Sequence, residues 1–419
     1  MGVATLPAHA WRVNIDQETF ADIGFATQIW GRNEGKRTTA STDHSATNFY
    51  VNMANITASG QVNKLVYFNI NAESTAFRGS FIVRDAFIGM KFAEEFRVQA
   101  GAMRVPFSRI ALTSSYNFLI PTQAYRDVFT GLSINPTDAL GVLGDGSRDA
   151  GIVVWGNVAG GMLKYYLGAS DGRYDRRGGF FTFTPPAPGS SPVNFTKDSL
   201  AYTIRLQFTP TMLGFKPETG YTLADTYLGR QNVLTLGVGY RVVGAETTVG
   251  PAVGGANARN YSYTKDAKMW TVDMLYEQKF GDIVPNLQVG YINAKDVAYG
   301  VAVTAGNDVV VRYGKATQIY AQAQLLYDQV VGFGKPALAI RWEQNKNEDR
   351  RQFNTNSGLT TAIPGEPRNT RVGVFAHYYI KGQAAKVSFG VDSVNRNAAS
   401  RGATGRSFTD FTLHLQTQF

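Results

Sequence analysis

Hydrophobic and polar residues alternate singly from about residue 20 to the carboxyl terminus, the period expected of strands with one face in an apolar medium and the other out of it. Leu200, Tyr202, Ile204, Leu206 and Phe208 share one face, and Thr203, Arg205 and Gln207 share the other. Trp270, Val272, Met274, Tyr276 and Phe280 alternate in the same way with Thr271, Asp273, Glu277 and Lys279. Val372 to Ile380, Val387 to Val391 and Phe411 to Phe419 repeat the pattern. About sixteen such segments can be counted, near 20–31, 47–58, 62–73, 79–91, 96–106, 149–157, 161–170, 199–210, 231–243, 266–280, 285–294, 312–328, 335–345, 369–381, 384–395 and 407–419.

Short connections such as Lys381-Gly382-Gln383 and Gly281-Asp282-Ile283 alternate with long polar ones over 171–198, 244–265, 295–311 and 346–368. Tight turns at one rim and long loops at the other are the rhythm of a membrane barrel, and an even strand count closes it with both termini on one side. A soluble sandwich or propeller would alternate as well. The segments here run to about ten to thirteen residues, whereas globular strands usually have about five or six and membrane strands need about nine to eleven. Aromatics such as Tyr202, Phe208, Trp270, Phe280, Phe411 and Phe419 end the apolar faces, as interfacial girdles do. The expectation is one all-β domain over 11–419, a single antiparallel transmembrane β-barrel of about sixteen strands with an inward-folded long loop. Met1 to Ala10 ends in Ala8-His9-Ala10 and reads as a remnant of a signal-peptide cleavage region.

Composition narrows the chemistry. Cysteine is absent from the 419 residues, which removes disulfide frameworks, thiolate zinc sites and covalent attachment of c-type haem. No apolar run reaches the roughly 18 residues of a membrane helix. Lys+Arg 41 against Asp+Glu 32 gives a net charge of +9. Nucleic acid is not implied, because the basic residues are spread over strand faces and loops instead of forming one patch.

The longest stretch without alternation lies between about 106 and 148, and loops of that length are usually functional. A barrel of about sixteen strands has a water-wide lumen, so some segment must fold inward to make it selective. Phe96 to Arg126 carries Arg97, Arg104, Arg109 and Arg126 and no acid, and these four form the expected pore constriction. Guanidinium groups stay charged and suit phosphate, carboxylate or sulfate oxygens, so a narrow pore lined by them favours anions. Strand phase places Arg205, Arg241, Arg341, Arg371 and Lys381 on the pore wall, with Arg97, Lys164, Lys279 and Lys386 also inward. Asp273, Glu277, Asp328, Glu343, Asp392 and Asp410 are the inward acids, a modest basic excess.

Residues 79–92, GSFIVRDAFIGMKF, and 96–120, FRVQAGAMRVPFSRIALTSSYNFLI, resemble the central signature of the phosphate-selective porin O and P family. The matching positions are the basic-acidic pair Arg84 and Asp85, Gly101, Pro106 and Phe107, and Leu112 to Ser115. Arg148 to Ile152, Tyr165 to Gly168 and Asp171-Gly172 are similar to the family's next hairpin. The resemblance implies an outer-membrane, sixteen-stranded, trimeric anion channel whose third long loop folds inward, surrounded by outer-membrane lipid and lipopolysaccharide. Phosphate-specific members carry a lysine cluster at the constriction. Here no lysine occurs between Lys91 and Lys164, so the solute stays open among phosphate, other oxyanions and carboxylates.

An enzyme would need one of His9, His44, His377 and His414, and the two late histidines read as pore-lining residues rather than a triad at a lipid-facing rim. Gly237-Val238-Gly239 and Gly332-Phe333-Gly334-Lys335 lack the spacing before a helix that a phosphate-binding loop requires. Asp145, Ser147 and Asp149 lack the ligand spacing of a calcium loop. No cofactor or metal is expected. The alternative function is the barrel sheath of a porin-cytochrome electron conduit, which requires a haem-bearing partner.

Overall fold

A polypeptide crossing a bilayer as strands must pair every backbone N–H and C=O, and only a closed sheet does so. The computed structural model describes residues 11–37, 39, 44–75, 82–122, 148–171, 194–197, 200–244, 246–249, 265–303, 309–354, 359–401 and 405–419. Met1 to Ala10, Arg126 and the 123–147 part of the long loop fall outside these residues. The strands are β1 (Trp11–Asn14), β2 (Phe20–Glu34), β3 (Ala46–Gln61), β4 (Val66–Thr75), β5 (Ile82–Lys91), β6 (Arg97–Arg104), β7 (Arg148–Val158), β8 (Leu163–Ser170), β9 (Asn194–Lys197) and β10 (Ala201–Phe208). They continue as β11 (Val233–Val243), β12 (Glu246–Val249), β13 (Ala267–Glu277), β14 (Ile283–Val303), β15 (Val309–Tyr327), β16 (Lys335–Asn354), β17 (Thr360–Ala362), β18 (Arg368–Tyr379), β19 (Ala385–Arg396) and β20 (Phe408–Gln418).

Sixteen of these strands form a closed antiparallel barrel, because β2 pairs with β3 on one side and with β20 on the other. β1 and β17 are short additions to β2 and β16, and β9 with β12 makes a separate two-stranded ribbon. The seam closes on the terminal residue. Phe25 and Phe419 exchange backbone N–H···O bonds of 2.9 Å each, and their rings lie 5.3 Å apart.

The barrel is inside-out relative to a water-soluble protein. On β10, Tyr202 is 58% exposed while Arg205 is fully buried, and the two classes alternate along the strand. Outward apolar and inward polar residues are the arrangement a surrounding hydrocarbon layer selects. No helix among the described residues is long and apolar enough to cross a membrane.

Two expected loops are shorter than the alternation suggested. β14 runs to Val303 and β16 to Asn354, into stretches read as the connections 295–311 and 346–368. Alternation reports lipid on one face and fades where both faces meet water, whereas ladder hydrogen bonding continues. Six connections at one rim are short: 62–65, 92–96, 159–162, 278–282, 328–334 and 380–384. The exception at that rim is 209–232, between β10 and β11.

Candidate functional site

After β6 the chain leaves the sheet at Pro106 and makes a single helical turn, Arg109–Leu112, started by the Ser108 side chain, which accepts from Ala111 N at 3.2 Å. Thr113 closes it by donating its hydroxyl to the Arg109 carbonyl at 2.9 Å. That turn aims Arg109 away from β6 towards Glu218 of the 209–232 connection. The Arg109 guanidinium forks onto both Glu218 oxygens, and the same Nη1 reaches Ala224 O at 2.9 Å. Burial alone would raise the Glu218 carboxyl, but the Arg109 charge and the Tyr227 hydroxyl outweigh it and hold it below the ordinary range.

The other described arginines among those singled out from the sequence are also buried, and most are paired. Arg97 binds Glu94 of the neighbouring turn and lies 4.5 Å over the Trp155 ring. Arg104 donates to Ala111 O at 3.1 Å. Arg205 forms a bidentate pair with Asp273 at 2.7 Å on each arm, and Arg241 binds Asp149 at 2.9 Å. Arg341 and Arg371 share Asp392, each at 2.6 Å. Arg126 falls outside the described residues. Lys381 corrects the wall assignment: it is exposed in the 380–384 turn, because β18 ends at Tyr379 and strand phase does not carry past the turn. Lys279 and Asp328 lie in turns for the same reason.

Several inward charges were missed by strand phase. Arg84 pairs with Glu73 at 2.7 Å and Arg148 with Asp85 at 2.8 Å, so the adjacent Arg84 and Asp85 each reach to a different strand. Among the described residues, thirteen buried lysines and arginines face eleven buried acids. Within the acid-free stretch, Arg97 and Arg109 are each paired with an acid from outside it, Glu94 and Glu218.

Glycines make room for two of these pairs. A Cβ on Gly237 of β11 would stand 2.3 Å from Arg205 Nη2 and 2.4 Å from Asp273 Oδ1. The pair thus spans β10 to β13 over the bare backbone of the strand between them. Gly373 of β18 does the same for Arg341 on β16 and Asp392 on β19, with 2.3 Å from its Cβ position to Asp392 Oδ1. Gly239 lets the Phe107 carbonyl approach the wall, at 2.1 Å from where a Cβ would be.

Residues 105–122 hydrogen-bond to inward-facing groups right round the barrel. Arg109 N donates to Asp273 Oδ2 of β13 at 3.0 Å, and Arg205 of β10 donates to Phe107 O at 3.2 Å. On other strands, Gln28 of β2 reaches Ser115 O, the Tyr116 hydroxyl reaches Asn55 of β3, and Gln416 of β20 reaches Tyr116 O. Thr122 binds Asp392 of β19 at 2.9 Å and Arg341 of β16 at 2.8 Å. The 209–232 connection meets this segment: Leu223 N donates to Leu112 O at 3.1 Å, and Asp225 N to Asn117 O at 3.2 Å. Its own anchors are Lys164 Nζ on Gly220 O, Asn286 on Asp225 O, and three N–H or O–H donors of residues 226, 227 and 229 on Glu277. The only sequence signal for this second segment was its length at a rim where every other turn is short.

Lys164 on β8 and Lys386 on β19 are buried with no carboxylate within 4.0 Å among the described residues; Lys386 donates to Phe118 O at 3.1 Å and Gln383 Oε1 at 2.8 Å. Asp225 is the converse. It accepts from Leu119 N, Gln288 and Gln322 with no cationic side chain bridged to it among the described residues, and burial pushes its carboxyl above the ordinary range. The described residues bring no three metal-ligating side chains together.

Comparison with known proteins gives a consistent picture. The family described as phosphate-selective porin O and P matches residues 32–242. An uncharacterized protein of Aquifex aeolicus (strain VF5) is 25% identical over 345 residues, covering 80% of this chain and 67% of its own. The outer membrane channel DcaP of Acinetobacter baumannii is similar in structure with a TM-score of 0.53 at 9% identity, over 96% of this chain and 99% of that one. An anion-selective porin from Comamonas acidovorans gives 0.50 at 10% identity, over 95% and 100%. At these identities the structural likeness establishes the fold.

Proposed function

Because the chain belongs to the phosphate-selective porin O and P family, we propose that it is an outer-membrane porin for passive diffusion of small anionic solutes, whether phosphate, other oxyanions or carboxylates. The observation that carries the anion preference is the excess of buried bases over acids among the described residues, including Lys164 and Lys386, which no described carboxylate neutralises by contact. Desolvated cations in a lumen raise the local concentration of anions and repel cations. Residues 105–122 would form the narrow part, with Arg97, Arg104, Arg109 and Arg126 at the constriction and Arg205, Arg241, Arg341 and Arg371 structuring the wall. The anion-selective Comamonas porin shares the fold, so the architecture is compatible with that preference. The sheath reading draws no support, since a haem wire needs an open lumen and Phe107, Leu112 and Arg109 are fully buried. Assembly as a homotrimer in lipid and lipopolysaccharide belongs to the same proposal.

Reversal potentials in planar bilayers under a potassium chloride gradient test it. The expected sign is anion preference, reduced when Arg126 is changed to Gln. A cation preference in the unmodified protein would refute the reading.

A further inference from the structure

A donor-rich group of side chains on the β18, β19, β20 and β2 wall keeps hydrogen-bonding atoms that the contacts described above leave unused. Register places His377, Ser388, His414 and Trp30 in one row across these four strands, with Lys386 in the adjacent row opposite Gln416. All are inward and buried, Lys386 at 2% and His414 at 0% exposure. His377 Nδ1 is bound to Ser388 Oγ at 2.8 Å, but His377 Nε2, both nitrogens of His414, and Trp30 Nε1 have no hydrogen-bond partner among the described residues. A buried polar group without a partner is costly, so several together point to an occupant.

We propose that Lys386, His377, His414 and Trp30 form a binding station for an oxyanion of the phosphate, sulfate or carboxylate class. The reasoning rests on the anion-channel reading and assigns it a site. Lys386 supplies charge, and ammonium and indole N–H groups are donors only, which matches a ligand made of acceptors. The imidazoles can present donors by choice of tautomer. Adjacent strands lie about 4.8 Å apart, so His377 and His414, two strands apart, are about 10 Å apart at the backbone and can close on a small anion between them. The nearby acids do not compete by contact. Asp392 and Asp410, further along β19 and β20, are held by Arg341 and Arg371 and by Arg32 and Arg37, and Asp225 acts on Lys386 only through space. Residues 115–119 lie over this wall through Gln28, Gln416 and Lys386, which places the station beside the proposed narrow part.

The test is block of chloride current through the full-length protein in bilayers by inorganic phosphate, and separately by sulfate. Saturable block is expected, with the half-blocking concentration raised about tenfold in Lys386→Gln and severalfold in His414→Gln and Trp30→Phe, a tenfold change being one decade in the dissociation constant. The last two leave the Lys386 ammonium and its contact with Phe118 O untouched, so they carry the test if the lysine variant does not assemble. Absence of saturable block, as for a site holding only water, overturns the station, as does block that is unchanged in all three variants. Anion preference of the unmodified protein with no such block defeats the station alone; cation preference defeats the underlying reading.

Discussion

Two sides of the barrel interior hold the same segment, 105–122, by different means. On the β10 to β13 side the anchors are charged: Arg109 with Glu218, Arg205 with Asp273, and Arg109 N on the same Asp273. On the β19, β20 and β2 side, apart from Thr122 on Asp392, they are amide and ammonium donors on backbone carbonyls, Gln28 to Ser115, Gln416 to Tyr116 and Lys386 to Phe118. Paired charges fix position but largely cancel each other's field, whereas the second side keeps donors with no counter-ion. Strength of anchoring and capacity to attract an anion are therefore divided between the two sides. The arginines most visible in the sequence belong mainly to the first.

Glu218→Ala strikes the charged side hardest, because it leaves the Arg109 guanidinium buried without a carboxylate. Removing one partner of a buried pair costs about 3–5 kcal/mol. The expected outcome is a large drop in the thermal midpoint of the detergent-solubilised barrel, with noisier and larger single-channel currents as 105–122 loosens. Unchanged midpoint and current would show that the pair does not anchor the segment.

Gly237→Ala attacks the same side without touching a charge. The new methyl must displace either Arg205 or Asp273, and overpacking of this kind costs about 1–3 kcal/mol. Gly373→Ala should cost a similar amount through Asp392. Denaturant midpoints of both variants check this, and equality with the unmodified protein would mean that the pairs relocate freely.

Gln416→Ala probes the amide anchors of the second side. It removes donors to Tyr116 O at 2.9 Å and Gln383 O at 2.6 Å, worth about 1 kcal/mol net each, and should lower stability less than Glu218→Ala. A loss as large as that of Glu218→Ala would erase the distinction between the two sides.

The barrel was legible because lipid on one face writes period two into the chain, and Thr203, Arg205 and Gln207 are inward as that period requires. The candidate site was legible only in part. Arg109 could be singled out by its acid-free surroundings, but its partner Glu218 lies more than a hundred residues away in a connection with no periodic pattern. Gly237 and Gly239 look like a failed phosphate-loop motif, and the space they clear, Gly237 for Arg205 and Asp273 and Gly239 for the Phe107 carbonyl, exists only once β10, β11 and β13 are in register. Lys381 misled for the opposite reason, since alternation continued one step past the end of β18. Local pattern carries which face a residue takes; pairing across strands decides whether its charge is free.

The smallest effect belongs to a cluster of the same residue types placed in water. Asp328, in the 328–334 turn, is bridged to Lys279 and, at 2.6 Å, to Lys335. Partial burial would raise its carboxyl, but the two ammonium groups outweigh that and hold it below the ordinary range. A carboxyl depressed in the folded state adds stability that is fully present above the unfolded value of about 4 and is lost as pH falls through the lower folded value. Asp328→Asn should therefore lower stability slightly at pH 7, by less than about 1 kcal/mol because both lysines are more than a third exposed, read as a small drop in the thermal midpoint, and the gap should close in acid. High salt should close it too, while leaving the Glu218→Ala deficit in place, since screening reaches exposed pairs and not buried ones. A Glu218→Ala deficit that vanished equally in salt would place Arg109 in water and remove the contrast between the charged anchors inside the barrel and their solvated counterparts at its rim.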